Sequence, residues 1–186
     1  MKDMQIKHKI IIIGIFILIG IVTLFTGLYR YKSTINPAHI FICDSKSQKS
    51  EFDNWISKEA DVDWVPTFII IKNKKIIGTL FDNSKDGVLD VNEFSHNLAI
   101  LEKTPRMNLD LPDYKITNIN NEFKSLKDIV TTDDLYILEI AWIDCPDCKN
   151  QDKYNKKIFA KYSTKNIYIY YNNSYRDDVV DKYINN

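Results

Sequence analysis

The sequence predicts an α/β fold preceded by one transmembrane helix, and three observations favour this. A long apolar run without charges lies close to the N-terminus. Further along the chain, apolar runs of strand length are followed by longer segments with the pattern of helices. One of these strand-to-helix junctions carries two cysteines in the spacing CxxC, and it gives the clearest indication of chemistry.

The apolar run is "IIIIGIFILIGIVTLFTGL", residues 10–28, which is 19 residues without a charge. At about 1.5 Å per residue, this length crosses a hydrocarbon core of about 30 Å. A cleaved signal peptide is the alternative, but its apolar region should be shorter and should end in small residues. We therefore predict that residues 1–32 form an uncleaved N-terminal membrane anchor.

The charges that flank this run predict the orientation of the chain in the membrane. Lys2, Lys7 and Lys9 precede the run, whereas Arg30 and Lys32 follow it. The small excess of positive charge before the run favours a cytoplasmic N-terminus. We predict a single-pass protein of the cell membrane with an extracytoplasmic C-terminal region, which also suits a motif of the disulfide type.

The overall composition of the chain argues against a nucleic-acid-binding protein. The chain has 186 residues, of which 45% are hydrophobic and 27% charged, with 25 acidic against 25 basic side chains. Such a balanced chain has no basic footprint for nucleic acid. The residues beyond the anchor suffice for one domain of ordinary size or two small ones.

The three cysteines, Cys43, Cys145 and Cys148, allow either redox chemistry or half of a zinc site. The further zinc ligands at a plausible spacing would be His39 and Cys43, but both lie in "HIFIC", which has the pattern of a strand. Four residues along a strand span roughly 13 Å, so these two side chains could not share one ion. We therefore favour redox chemistry for the CxxC pair and expect Cys43 to be a small buried side chain.

The CxxC pair lies where "LYILEIAWI", a buried-strand pattern, meets "CPDCKNQDKYNKKIFAKY", a helix that begins at Cys145. Pro146 then occupies the first helical position, where its missing N–H costs nothing. The free N–H groups of the helix favour a thiolate on Cys145, which makes it the nucleophile, with Cys148 as the buried resolving thiol. Asp144 and Asp147 add negative charge, so we expect a less oxidising couple than one with neutral neighbours.

Residues 114–183 resemble the first part of the thioredoxin superfamily, from its first strand through the active-site helix to its third helix. The motifs "CPDC" and "IYIYYNNSYRDD" are similar to bacteriocin transport accessory proteins of Gram-positive bacteria. The resemblance implies a thioredoxin-like mixed sheet flanked by helices and a catalytic dithiol. It also implies that Glu139 is the buried acid that relays protons to the resolving thiol. The alternative for Glu139 is an acid paired with a lysine.

The cis-proline and final hairpin of that family resemble a segment upstream, "WVPTFIIIKNKKIIGTL", residues 64–80. The resemblance implies that Pro66 is cis and that it orients the substrate together with Val65 and Thr67. Trp142 precedes the dithiol and is expected to line the substrate groove. As a class, the tryptophans Trp55, Trp64 and Trp142 are otherwise expected to pack in the interior.

The order of these segments predicts two halves. Residues 33–104 resemble the C-terminal half of a thioredoxin-like fold, with the cis-proline, and residues 113–186 resemble the N-terminal half, with the CxxC. Residues 105–112 have the composition of a linker. Three explanations are open: a circularly permuted thioredoxin, a degenerate remnant of a tandem pair, or a truncated sequence. In the permuted arrangement the strand near residues 39–43 is expected to be surplus, because the strand near 166–171 takes its place.

The segment "DNSKDGVLDVNE", residues 82–93, matches the pattern of a calcium loop. Its expected ligands are Asp82, Ser84, Asp86, Val88, Asp90 and Glu93. A strand precedes the segment, however, where a calcium loop of this kind should follow a helix. The alternative is a polar turn followed by a helix with Asp90 as its N-cap and Glu93 as its capping-box partner.

These observations together predict a membrane-anchored, extracytoplasmic protein of thiol–disulfide exchange that acts on an exported polypeptide. The alternative is a non-catalytic thioredoxin-like binding or accessory module of the bacteriocin-export type. Expected partners are the polypeptide substrate, the membrane through residues 10–28 and a membrane redox partner. Calcium is the one cofactor that the sequence suggests.

Overall fold

The computed structural model describes residues 36–42, 51–82, 87–162, 166–172 and 176–182, all of which belong to one compact unit. The predicted anchor and Cys43 lie outside the described residues. Within those ranges, no helix is both long and apolar enough to cross a membrane. The transmembrane helix at residues 10–28 therefore stays a prediction.

The described residues form eight strands and five α-helices, with a short 3₁₀ turn at Pro37–His39 before the first strand. The strands are β1 Ile40–Ile42, β2 Thr67–Lys72, β3 Lys75–Leu80, β4 Leu109–Asp110, β5 Ile116–Asn118, β6 Phe123–Lys124, β7 Tyr136–Ala141 and β8 Ile167–Tyr171. The helices are α1 Glu51–Lys58, α2 Val91–Lys103, α3 Leu126–Ile129, α4 Pro146–Lys161 and α5 Arg176–Val180.

All eight strands belong to one mixed sheet, in the order β4-β3-β2-β7-β8-β1-β5-β6. Strand β8 runs parallel to both of its neighbours, β7 and β1, whereas the other adjacent pairs are antiparallel. The predicted α/β class with a mixed sheet and flanking helices is thus confirmed at this level.

The two predicted halves contribute strands to the same sheet. Strand β2, from the first half, pairs with β7, from the second half, with Thr67 opposite Ile140 and Ile71 opposite Tyr136. The strand expected to be surplus is also part of the sheet, since β1 lies between β8 and β5. Strand β8 takes the place beside β7, and β1 is an additional inner strand that is apolar on both faces and fully covered.

Side chains alternate between the two faces of the sheet and so divide the interior into two clusters. One face is covered by α2, α4 and α5, and its cluster includes Phe68, Ile70, Phe94, Leu98, Ile137, Ile158, Ile169 and Val179. The opposite face is covered by α1 and α3, and its cluster includes Phe41, Phe52, Ile56, Ile69, Leu126, Ile129, Leu138 and Tyr170. Helices therefore flank the central strands on both sides.

The segment predicted as a linker, residues 105–112, runs along the edge of the sheet. The backbone N–H groups of Arg106 and Met107 donate to the Ile77 carbonyl at 2.9 and 3.0 Å. Strand β4 then pairs with β3, and Leu111 and Pro112 are buried. This segment joins the two halves while contributing its own edge strand.

Candidate active site

Cys145 lies between the end of β7 and the start of α4. Pro146 is the first residue of α4 and Cys145 is its N-cap, as the sequence predicts. The Cys148 N–H donates to Cys145 Sγ at 3.2 Å, and the Cys145 N–H donates to the Trp142 carbonyl at 3.4 Å. The half-buried Cys145 sulfur thus accepts a hydrogen bond from one of the free N–H groups of the helix.

The peptide bond between Val65 and Pro66 is cis, as predicted, and it lies beside this thiol. Because β2 and β7 are antiparallel, the residues that precede β2 meet those that follow β7. The Cys145 thiol lies 3.7 Å from the Val65 carbonyl oxygen, which belongs to the cis peptide bond. The first half therefore supplies backbone directly beside a cysteine of the second half.

Cys148 lies one turn into α4 and is buried. Its sulfur accepts a hydrogen bond from the Trp142 N–H at 3.4 Å. Burial, with a smaller contribution from the hydrogen bond to Cys145, raises the pKa of Cys148 well above its ordinary value. Both cysteines are free thiols in this structure, with Cys145 the more accessible of the two.

Glu139 is buried on β7, on the face of the sheet that α4 covers. The Asn155 side-chain amide donates to both carboxylate oxygens of Glu139 at 2.9 Å. Burial, and then the charge of Asp152, raises the pKa of Glu139 to about 8, against the opposing effects of Asn155 and Lys182. The carboxyl group therefore exchanges a proton close to neutral pH.

The alternative for Glu139 was an ion pair with a lysine, and the structure shows only a longer-range effect of a lysine charge. Lys182 acts on Glu139 through its charge, but the Lys182 ammonium donates to Asp152 at 2.6 Å and to the Tyr171 hydroxyl at 2.9 Å. The hydrogen bonds to the Glu139 carboxylate come from a neutral amide. A neutral partner leaves the burial penalty on the ionised form largely in place.

Two polar residues of α4, Gln151 and Asn155, extend this interior network, and sequence reasoning missed both. Gln151 Nε2 donates to Asn155 Oδ1 at 3.1 Å and to the Leu89 carbonyl at 2.9 Å, while Gln151 Oε1 accepts from the Leu89 N–H at 2.7 Å. The sequence did contain a signal for this network, since Gln151 and Asn155 follow Cys148 at helical spacing and so share the buried face of α4. A polar side chain at a core position of a helix indicates a buried hydrogen-bond network.

The segment after residue 86 lies against the CxxC turn, which the sequence did not indicate. Gly87 has a φ of +61°, and a Cβ at this position would lie 3.0 Å from Asp147 Cγ. Glycine is thus favoured here both by its backbone conformation and by the close approach of Asp147. Together with the Gln151 contacts to Leu89, this packing joins the predicted calcium segment to α4.

Of the predicted calcium ligands, Ser84 and Asp86 lie outside the described residues. Asp82 Oδ2 accepts a hydrogen bond from the Val88 N–H at 3.0 Å. Among the residues that are described, no group of three or more histidine, cysteine or acidic side chains is arranged to hold a metal. Calcium binding stays a prediction.

Of the alternative for this segment, the N-cap is observed, whereas the structure shows no capping-box bond from the Asp90 N–H to the Glu93 side chain. Asp90 is the N-cap of α2, and its Oδ1 accepts from the N–H groups of Asn92 and Glu93 at 2.7 and 2.9 Å. Burial, and then the charges of Asp82 and Asp90, raises the pKa of Glu93. The carboxylates of the segment therefore lie close enough to repel one another.

The residues predicted to contact substrate divide into two groups. Val65 is half-buried and Trp142 is 40% exposed, so both reach the surface beside Cys145. Thr67 is buried, and its hydroxyl donates to the Trp64 carbonyl at 2.6 Å, so this side chain holds the turn before β2. Trp64 was expected to pack in the interior, but its side chain is 73% exposed.

The structure thus brings Cys145, Cys148, Val65 and Trp142 together, with Glu139 in the interior behind Cys148. An accessible thiol, a buried thiol and a buried acid form a short series from the surface to the core. The chain matches no protein-family model, no curated protein and no solved structure.

Proposed function

We propose that this chain carries out thiol–disulfide exchange, with Cys145 as the attacking thiol and Cys148 as the resolving thiol. The observation that carries the proposal is the position of Cys145 Sγ, 3.2 Å from the Cys148 N–H nitrogen and 3.7 Å from the Val65 carbonyl oxygen. In the first contact a free N–H of the helix donates to the sulfur, and the second leaves backbone beside the thiol for an extended substrate.

The fold that we propose is a circularly permuted, thioredoxin-like one, in which residues 33–104 and 113–186 assemble a single site. The order β3-β2-β7-β8, with β2 antiparallel and β8 parallel to β7, supports this proposal. A degenerate tandem pair would instead be expected to form two separate sheets. One departure is that β5, which resembles the first strand of the family, is separated from β8 by β1.

In the proposed exchange, the Cys145 thiolate attacks one sulfur of a substrate disulfide. A bond forms between Cys145 Sγ and that sulfur, the substrate disulfide breaks, and the departing thiolate takes a proton from solvent. Cys148 then loses its proton and attacks Cys145 Sγ, which closes a Cys145–Cys148 disulfide and releases the second substrate thiol. Two electrons pass to the substrate, and the same steps run in reverse with a dithiol substrate.

Glu139 is proposed to accept the proton of Cys148 before its attack and to return it in the reverse reaction. A pKa raised to about 8 by burial suits this task, because such a group both takes and releases a proton near neutral pH. The charge of Glu139 is also one of the effects that raise the pKa of Cys148, which supports their proximity. Asn155 holds the Glu139 carboxyl in place.

The proposed substrate is an exported polypeptide, and the proposed location is the outer face of the cell membrane. Both proposals rest on the apolar run at residues 10–28 and the charges that flank it. A membrane redox partner would restore the dithiol or the disulfide after each turnover. The resemblance to thioredoxin-like accessory proteins of bacteriocin transport is consistent with this location.

The decisive experiment uses the full chain in a mild non-ionic detergent with insulin as the disulfide substrate and dithiothreitol as the reductant. We expect accelerated insulin reduction by the unmodified protein and none above background by Cys145→Ser. Cys148→Ser should accumulate a mixed disulfide with insulin, visible as a band that reductant removes, because the first step proceeds without the second. Cys43→Ser is the matched control, and we expect it to keep the unmodified rate.

A different result would favour the alternative function, a non-catalytic binding or accessory module. In that case the unmodified protein would reduce insulin no faster than Cys145→Ser does. The Cys148→Ser protein would also yield no mixed disulfide. Either of these results with folded protein would exclude the catalytic proposal for this substrate.

A further inference from the structure

Two exposed tryptophans belong to the two chain segments that contact Cys145. Trp64 is 73% exposed and immediately precedes Val65, whose carbonyl oxygen lies 3.7 Å from Cys145 Sγ. Trp142 is 40% exposed, and its backbone carbonyl accepts the Cys145 N–H. Large aromatic side chains so exposed are a feature of binding surfaces, where they provide contact area at low entropic cost.

The same two segments carry a local excess of negative charge. Residues 61–64 and 142–149 contain four carboxylates and one ammonium, whereas the chain as a whole has no net charge. The carboxylates belong to Asp61, Asp63, Asp144 and Asp147, and all four residues are exposed. The ammonium is that of Lys149, 3.6 Å from Asp144 Oδ1, and the Asp144 side chain is still 88% exposed. Four carboxylates against one ammonium give these two segments a net charge of −3.

We propose that the exchange site prefers polypeptides whose reacting cysteine has lysine or arginine within about two positions along the chain. This inference rests on the proposed function and names its substrate class. Exposed tryptophan faces attract a cationic side chain by cation–π interaction, and the neighbouring carboxylates attract it by charge. The two features occur together, beside the same thiol.

The spacing of residues near Cys145 supports a preference that extends about two positions from the reacting cysteine of the substrate. A cysteine under attack by Cys145 must lie beside Val65, and Trp64 and Asp63 precede Val65 by one and two residues. An extended peptide advances about 3.3 Å per residue, so the residues one and two positions from the reacting cysteine lie within about 7 Å of it. Trp142 and Asp144 are exposed in the segment that leads to Cys145. Acidic neighbours of the reacting cysteine would be repelled by the carboxylates of both segments.

The test uses the full chain in non-ionic detergent, reduced beforehand, in a single turnover. The probes are three synthetic peptides of equal length with one cysteine held as a mixed disulfide with thionitrobenzoate. The cysteine is flanked on both sides by lysine, by serine or by glutamate. Release of thionitrobenzoate gives the second-order rate constant for each peptide, and we expect lysine to exceed glutamate by about tenfold or more at low salt. High salt should reduce this ratio strongly.

Variants distinguish recognition of the substrate's charge from a general change in the reactivity of the Cys145 thiol. Removing carboxylates beside Cys145 alters its reactivity toward every peptide, so the readout is the ratio of the lysine rate to the glutamate rate. Asp63→Asn combined with Asp144→Asn should lower this ratio several-fold, and Trp64→Ala should lower the lysine rate by a few-fold. Asp133→Asn is the matched control, since Asp133 is exposed and precedes the opposite end of β7.

The possible results distinguish this inference from the proposed function. Equal rate constants for the three peptides, or a ratio that the double variant leaves unchanged, would overturn the inference while the exchange function stands. No thionitrobenzoate release from any peptide above that of Cys145→Ser would overturn the exchange function and the inference together. A salt-sensitive preference for lysine that the double variant removes would support both.

Discussion

Glu139 shows, at the level of one residue, how burial within the fold changes the pKa of a carboxyl group. The same carboxyl group in an unfolded chain has a pKa near 4.5, whereas burial raises it to about 8 in the folded protein. Sequence could place Glu139 on a buried strand, six residues before Cys145. It could not identify Asn155 as the donor to its oxygens, because that contact depends on how α4 lies on the sheet.

The shifted pKa of Glu139 predicts a particular dependence of stability on pH. Between pH 4.5 and about 8 the folded form holds a proton that the unfolded form has lost. The stability from this protonated carboxyl is therefore fully present below pH 4.5 and is lost as the pH rises to about 8. Glutamine does not titrate, so this loss should be absent from Glu139→Gln. Between pH 4.5 and about 8, the free energy of unfolding of the unmodified protein should therefore fall by roughly 2–4 kcal/mol more than that of the variant.

Urea unfolding of both proteins at pH 5, 7 and 9, at constant ionic strength, measures this difference. Glu59→Gln is the matched control, because it makes the same replacement at an exposed position. Parallel profiles for Glu139→Gln and the unmodified protein would show that Glu139 keeps an ordinary carboxylate in the folded state.

At the level of elements, the sequence predicts those that depend on local signals. The start of α4 follows from Pro146 after a polar turn, and the N-cap of α2 follows from Asp90. Strand β5 lies where the resemblance implies a first strand, whereas β4 and β6 were not predicted, because two-residue strands carry no periodic pattern. The position of β4 depends on its pairing with β3, which is distant in sequence.

The buried polar face of α4 makes a prediction about stability. Gln151 satisfies both the N–H and the carbonyl of Leu89 in the interior, at 2.7 and 2.9 Å. Gln151→Leu keeps the approximate volume but leaves both backbone groups unpaired, so we expect a loss of about 2–4 kcal/mol in the free energy of unfolding. Asn150→Leu, at the exposed neighbouring position, should change it by less than about 0.5 kcal/mol.

Urea unfolding measures both variants of α4, and amide exchange of Leu89 provides a second readout. Loss of the Gln151 acceptor should accelerate exchange of the Leu89 N–H in Gln151→Leu and leave it unchanged in Asn150→Leu. Equal stability of the two variants would mean that Leu89 finds other partners at little cost.

At the level of the whole molecule, sequence complementarity of the two halves predicts that β2 lies beside β7. This pairing is observed because each strand is apolar on both faces and neither half alone has enough neighbours to bury it. The place of β1 could not be predicted in the same way. "HIFIC" is compatible with any inner position of a sheet, and its pairing with β8 and β5 is decided by contacts between distant parts of the chain.

A single sheet built from both halves predicts that they unfold together. The protein has three tryptophans, so two variants with one tryptophan each can report on the two halves separately. One variant keeps Trp55 in α1, and the other keeps Trp142 after β7, with phenylalanine at the remaining positions. In urea, followed by fluorescence in non-ionic detergent, both should show the same midpoint and the same slope.

A substitution in one half should then be felt by the tryptophan in the other. Ile140 is fully buried on β7 opposite Thr67, and Ile140→Val should cost about 0.5–1.5 kcal/mol. Because one transition governs the whole sheet, the Trp55 and Trp142 midpoints should both move to lower urea by the same amount, about 0.5 M. A Trp55 midpoint that Ile140→Val leaves in place would mean that the two halves fold independently, which is the behaviour of a degenerate tandem pair rather than of one permuted domain.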